Sequence, residues 1–176
     1  MTDTPTATPT ITSRPKPMLT TEHWPAFTTH TERDVIVAAL SLARLVDWCG
    51  TPCVHTADAV VPGSDGRPSD SELASVLLTR VVSAEWRSDL RLHVAIDADL
   101  GGCRPYLEQA RLIGRTSTAY AASVTLESDA PGTVGYATSL PADISAGDLI
   151  VIPCIGVTLL HDIKVASTPW SGELSR

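Results

Sequence analysis

Residues 149 to 155, Leu-Ile-Val-Ile-Pro-Cys-Ile, form an unbroken apolar run launched from Ser145-Ala146-Gly147-Asp148. This run limits the fold more than any other segment. A strand that is apolar at every position has no face to offer water, so protein must cover it on both sides. It is therefore expected to be an interior strand, with a further strand from Val157 to Val165 after Gly156.

Other segments alternate. Leu90, Leu92, Val94 and Ile96 are interleaved with Arg91, His93, Ala95 and Asp97, and Tyr120, Ala122, Val124 and Leu126 repeat the period of two, as in half-buried strands. Asp129-Ala130-Pro131-Gly132 reads as a turn leading to a strand over residues 133 to 138, which suggests a hairpin. Pro105 opens a short helix that Gly114 ends. Nearer the N-terminus the period is helical. Thr31-Glu32-Arg33-Asp34 resembles a capped helix start, apolar residues recur from Val35 to Val46, and Gly50 supplies the stop. Ser69 and Glu72 form a second capping pattern, and Leu73, Val76, Leu77 and Val81 fit one face of a helix over about residues 70 to 84. The expected fold class is α+β: two N-terminal helices, one short helix and a mainly antiparallel sheet of four to six strands.

Residues 1 to 33 are rich in Thr and Pro and show no hydrophobic period, so they are expected to be unable to offset the entropy of ordering. The expected organisation is an extended arm over residues 1 to 30, one domain over residues 31 to 166 and a tail over residues 167 to 176, which holds Trp170. Aromatic residues make up only 5% of the chain, yet Trp24 and the sole Phe, Phe27, lie in the arm beside Met18, Leu19 and Pro25. Such a cluster is expected to dock, either on the domain itself or on a neighbouring subunit.

Thirteen Lys and Arg against twenty Asp and Glu leave a net charge of -7, which argues against a nucleic-acid partner. No apolar stretch approaches the length of a membrane span, and no signal peptide is expected. The implied location is cytoplasmic or within a virion-like particle. Arg104, Arg111 and Arg115 are the one local basic group, read as a solvated face.

Trp48-Cys49-Gly50-Thr51-Pro52-Cys53 is similar to the Trp-Cys-Gly-Pro-Cys signature of the thioredoxins, with one residue inserted. The first cysteine, however, falls at a helix end whose dipole disfavours a thiolate, which speaks against dithiol catalysis. Cys49, Cys53 and His55 are the candidate zinc ligands, and completing a four-ligand site would require the fold to bring in Cys103 and Cys154. The bland reading makes Cys154 a small core hydrophobe and puts Cys103 in a turn. Asp97 and Asp99 close a strand that also carries His93, and together they could hold a divalent cation; turn chemistry explains them equally. His161 and Asp162, neighbours on an expected strand, would face opposite ways. The sequence holds no Gly-x-Ser-x-Gly elbow, no Gly-x4-Gly-Lys-Ser/Thr loop and no Gly-x-Gly-x-x-Gly.

With no catalytic set in view, the leading expectation is a non-enzymatic structural or interaction subunit of a larger assembly, such as a virion-like adaptor, decoration or minor component. Its arm would bind neighbouring protein subunits in a homo- or hetero-oligomer, with no cofactor. The alternative is a small metal-dependent enzyme or zinc-stabilised protein using Asp97, Asp99 and His93 or Cys49, Cys53 and His55.

Overall fold

The computed structural model describes residues 18 to 165; most of the expected arm and the whole C-terminal tail lie outside the described residues. The elements are β1 (Thr28–His30), β2 (Val35–Val37), β3 (Leu40–Ser41), α1 (Leu42–Cys49), β4 (Cys53–Val60), β5 (Pro68–Trp86), β6 (Leu92–Ile96), β7 (Arg111–Ile113), β8 (Ala121–Ser128), β9 (Tyr136–Pro141), β10 (Leu149–Cys154) and α2 (Leu160–Ile163). The fold is thus mostly β, which corrects the expected α+β arrangement with two N-terminal helices.

Each departure has a local cause. Thr31 does cap, accepting from the Arg33 and Asp34 backbone N–H groups, but it closes a turn and not a helix. Ala38 and Ala39 then take left-handed conformations, φ 47° and 68°, which no helix admits. The helix starts only at Leu42. Ser41 caps it by accepting from Arg44 N, while Asp34 Oδ1 accepts from Ala43 N. Gly50 ends it as expected, at φ 73° with its N–H on the Val46 carbonyl. The expected helix over residues 70 to 84 lies within β5, a single strand of 19 residues. Its β-branched residues prevailed over the apparent helical spacing, because apolar residues are needed on both of its faces. The expected short helix after Pro105 is a 3-10 turn, Leu107–Gln109, followed by β7. The expected strand over residues 157 to 165 holds α2 instead.

Two sheets form. A small antiparallel sheet joins β1, β2 and β3. The large one runs β7-β10-β5-β6-β8-β9, with β4 also on β5. Its pairings are antiparallel except β6 with β8, which is parallel, so the sheet is mixed. It curls until its terminal strands, β7 and β9, approach each other as a nearly closed six-stranded barrel. Along one edge of β5, β4 covers Pro68 to Leu78 and β6 covers Val81 to Trp86. Two strands thus meet end to end beside one long one.

Two apolar cores lie on opposite faces of β5 and β10. Leu77, Val81, Ile150, Ile152 and Cys154 point into the barrel, with Val94, Ile96, Val124 and Leu126. Val76, Leu78 and Val151 point outward into a second core with Trp24, Val35, Val37, Leu42 and Val46. The run from Leu149 is buried on both faces for this reason. Burying each such large side chain contributes about 1.5–3 kcal/mol.

Among the described residues no helix is long and apolar enough to cross a membrane.

Candidate functional site

Cys49, Cys53 and His55 follow from helix α1 into β4. Cys49 is exposed, whereas Cys53 is buried in the outer core. Burial, then the neighbouring Cys49 and Asp97, push the Cys53 thiol up to about 11, so a metal would have to displace its proton against that environment. Burial also pushes the His55 pKa down, and His55 Nε2 lies buried without a hydrogen-bond partner among the described residues. These residues do not assemble a ligand set. Among the described residues no three or more His, Cys, Asp or Glu side chains are grouped to hold an ion.

His93, Asp97 and Asp99 are each committed elsewhere. His93 Nδ1 lies 2.9 Å from Glu127 Oε1 and Nε2 lies 3.2 Å from Asp89 Oδ2. Asp97 accepts from the Thr51 and Thr79 hydroxyls at 2.5 and 2.7 Å and from Arg80 N at 2.8 Å. Asp99 Oδ1 accepts from Gly101 N at 2.8 Å and caps the 3-10 turn Leu100–Gly102. Turn and junction chemistry accounts for both carboxylates. His161 Nε2 and Asp162 Oδ1 lie 2.8 Å apart, and both residues stand on α2 and not on a strand.

The arm cluster divides. Trp24 is 1% exposed in the outer core, and its indole N–H donates to Gln109 Oε1 at 3.1 Å. Pro25 is buried and Leu19 packs against the same core, while Met18 and Phe27 are exposed. Gln109 also accepts from Thr20 N and donates to the Thr20 hydroxyl, which ties residues 20 to 24 to the 3-10 turn before β7.

A cleft among the described residues was not legible as a motif. It has a volume of about 650 Å³ and lies at the barrel's open seam, with Arg111 and Leu112 of β7 on one side and Ser139 and Leu140 of β9 on the other. Thr116 and Thr118 lie along its wall, and Glu32 and Glu108 also line it. Arg111 is 5% exposed, and desolvation lowers its pKa from the usual arginine range. The solvated-face reading of the three arginines therefore holds for Arg104, which is exposed, and fails for Arg111. Arg115 is held by Asp148 and Asp143 at 2.6 and 3.1 Å and fixes the loop beside the cleft. The signal available in the sequence was a single cation within the apolar stretch Ala110-Arg111-Leu112-Ile113.

No protein-family model matches the chain, and no curated protein matches it. Among solved structures, those of the Paramecium bursaria Chlorella virus arginine decarboxylase, one of them bound to agmatine, align with TM-score 0.38 and 18% identity. The alignment covers 47% of this chain and 24% of that one, so this chain matches about a quarter of the viral protein's length. Neither fold nor activity carries over from so partial an overlap. The expected assembly subunit and its virion-like setting are nonetheless set aside. The aromatic anchor that motivated them, Trp24, is buried in the chain's own core, and residues 18 to 30 carry a 3-10 turn and a strand.

Proposed function

We propose that this chain is a small-molecule binding domain whose seam cleft takes a carboxylate-bearing ligand. The supporting observation is the burial of the Arg111 guanidinium on the wall of a cleft whose size falls within the roughly 300–1,000 Å³ of small-molecule sites. A desolvated guanidinium attracts an anion more strongly than one in water, and its planar, weakly hydrated charge suits a small carboxylate. The hydroxyls of Thr116, Thr118 and Ser139 offer neutral hydrogen bonds, and Leu112 and Leu140 offer an apolar floor. Glu32 and Glu108 disfavour polyanions at the same site and favour a ligand with a compensating amine. The preferred class is thus a monocarboxylate or a small zwitterion. The reading places the domain in the cytoplasm, where its four free cysteines stay reduced, and it requires neither zinc nor a protein partner.

Calorimetric titration with acetate, glycine and succinate tests it. Saturable one-to-one binding of acetate or glycine, weaker for succinate, is expected. Arg111→Met should abolish it, and Ser139→Phe, which fills the cleft from β9 and leaves the arginine in place, should do the same. Absence of saturable binding by every carboxylate, or binding that survives both substitutions, overturns the proposal.

A further inference from the structure

The fold brings together two cysteines that the sequence keeps far apart. Pro105 forms an isolated antiparallel bridge with Cys154, flanked by the hydrogen bonds Ile155 N to Arg104 O at 2.9 Å and Tyr106 N to Pro153 O at 2.8 Å. In that pattern Pro105 and Cys154 are a directly opposed pair with side chains on one face. Cys103, two residues before Pro105 and extended at φ -136°, shares that face and becomes the diagonal neighbour of Cys154. Its side chain packs against the barrel core that contains Cys154, and both cysteines are free. The two differ in access: Cys154 is 0% exposed, whereas Cys103 is half-buried.

We propose that Cys103 and Cys154 form a reversible dithiol–disulfide pair, with Cys103 as the peroxide-reactive thiol and Cys154 as the resolving thiol. The Cys154 thiol donates to the Ile152 carbonyl and the Cys103 thiol to the Leu100 carbonyl; the neighbouring Cys154 lowers the Cys103 pKa, although burial and Asp99 oppose this. Cys103 in turn, together with burial, raises the pKa of Cys154 and keeps it protonated. A thiolate reachable from solvent beside a buried thiol is the arrangement that sulfenic-acid chemistry requires.

The chemistry closes with hydrogen peroxide as oxidant. The Cys103 thiolate attacks one peroxide oxygen, the O–O bond breaks, and the departing hydroxide takes a proton to leave as water; Cys103 is now a sulfenic acid. Cys154 sulfur then attacks the Cys103 sulfur, the S–O bond breaks, and the Cys154 proton leaves with that hydroxide as a second water. Two thiols and one peroxide give one disulfide and two waters. A diagonal pair lies at the long end of the separation a disulfide accepts, so closing the bond draws residues 103 to 105 toward β10. That strain makes the bond easy for a small thiol to reduce.

The test uses the reduced full-length chain, treated with a small excess of hydrogen peroxide, then unfolded in denaturant with iodoacetamide and weighed. The expected product has lost two hydrogens, carries acetamide on Cys49 and Cys53 alone, and yields one cross-linked peptide pair joining Cys103 to Cys154. Glutathione should restore four alkylatable thiols. In Cys154→Ser the cross-link should vanish and dimedone should label Cys103; in Cys103→Ser neither product should form. Four free thiols after peroxide, or a cross-link confined to Cys49 and Cys53, overturns the proposal. Both outcomes are read on the wild-type chain, so they stand whether or not the variants fold. Oxidation carried out in urea should scramble the pairing, which ties the specificity to the fold.

Discussion

The Thr79 hydroxyl donates to Asp97 Oδ1 at 2.7 Å at the point where β4 and β6 meet along the edge of β5. Thr79 is 0% exposed, and the same carboxylate also holds the Thr51 hydroxyl before β4 and the Arg80 N–H of β5. One side chain therefore ties its own segment to two others at a junction that backbone pairing leaves interrupted. Asp97→Ala should leave the buried Thr79 hydroxyl unsatisfied and lower stability by about 2–3 kcal/mol, read as a shift in the urea midpoint. Asp97→Asn, which keeps an acceptor, should lose less. Added EDTA should move neither midpoint, since Asp97 acts through hydrogen bonds.

Trp24 gives a second test, because its indole ring and its N–H stabilise different things. Trp24→Phe keeps much of the apolar burial and removes the bond to Gln109, so a loss of about 1 kcal/mol is expected. Trp24→Ala should lose about 3–5 kcal/mol. Equal losses in chemical denaturation would show that the hydrogen bond, and not the outer core, dominates.

Acid sensitivity follows from Asp143. Burial pushes its carboxyl pKa up, but the Ser117 hydroxyl and the Arg115 guanidinium outweigh this and hold it below the usual value. A carboxylate depressed in the folded chain stabilises above its unfolded pKa of about 3.9 and loses that contribution as pH falls through the lower folded value. Asp89, also lowered, chiefly by its hydrogen bond with His93, acts with the same sign. These two carboxylates should contribute a constant amount near neutrality that is lost below about pH 4. An earlier loss should begin at about pH 6.5, where the unfolded chain protonates His55 more readily than the folded one. Asp143→Asn should be less stable than wild type at neutral pH and should converge on it in acid. A constant gap across the titration would exclude the ionic contribution.

Gly102 tests a close approach. A Cβ at that position would lie 1.8 Å from the Asp162 carbonyl oxygen of α2, which is backbone and cannot swing aside. Gly102→Ala should cost on the order of 1–3 kcal/mol by separating the 3-10 turn at Leu100 from α2. Hydrogen exchange at the Asp99 N–H, which donates to the Ile163 carbonyl at 2.8 Å, should accelerate with it.

What the sequence revealed depended on how many faces of a segment meet a core. Strand β6 has one, so Leu92, Val94 and Ile96 alternate with partly exposed neighbours and the period of two is plain. β5 has two, so Val76, Leu77 and Leu78 are all buried, alternation disappears, and the spacing passes for helical. At Ala38 and Ala39 nothing in the residue type announces positive φ; packing of β2 and α1 into the outer core imposes it. The cleft was hidden for a related reason. Its residues come from β7, β9 and the loops beside them, and only sheet curvature makes them neighbours. The pairing of Cys103 with Cys154 likewise depends on an isolated bridge between distant segments.

Strand β5 also sets how the molecule comes apart. Its Leu77 belongs to the barrel interior and its Val76 and Leu78 to the outer core, so neither layer can melt while this strand keeps its place. The two layers should share one calorimetric transition, and amides from Ser75 to Arg80, paired in register with β10, should be the last to exchange. A cut in the loop between β4 and β5 would release no independently stable fragment: each piece would carry half of a surface whose complement had been removed.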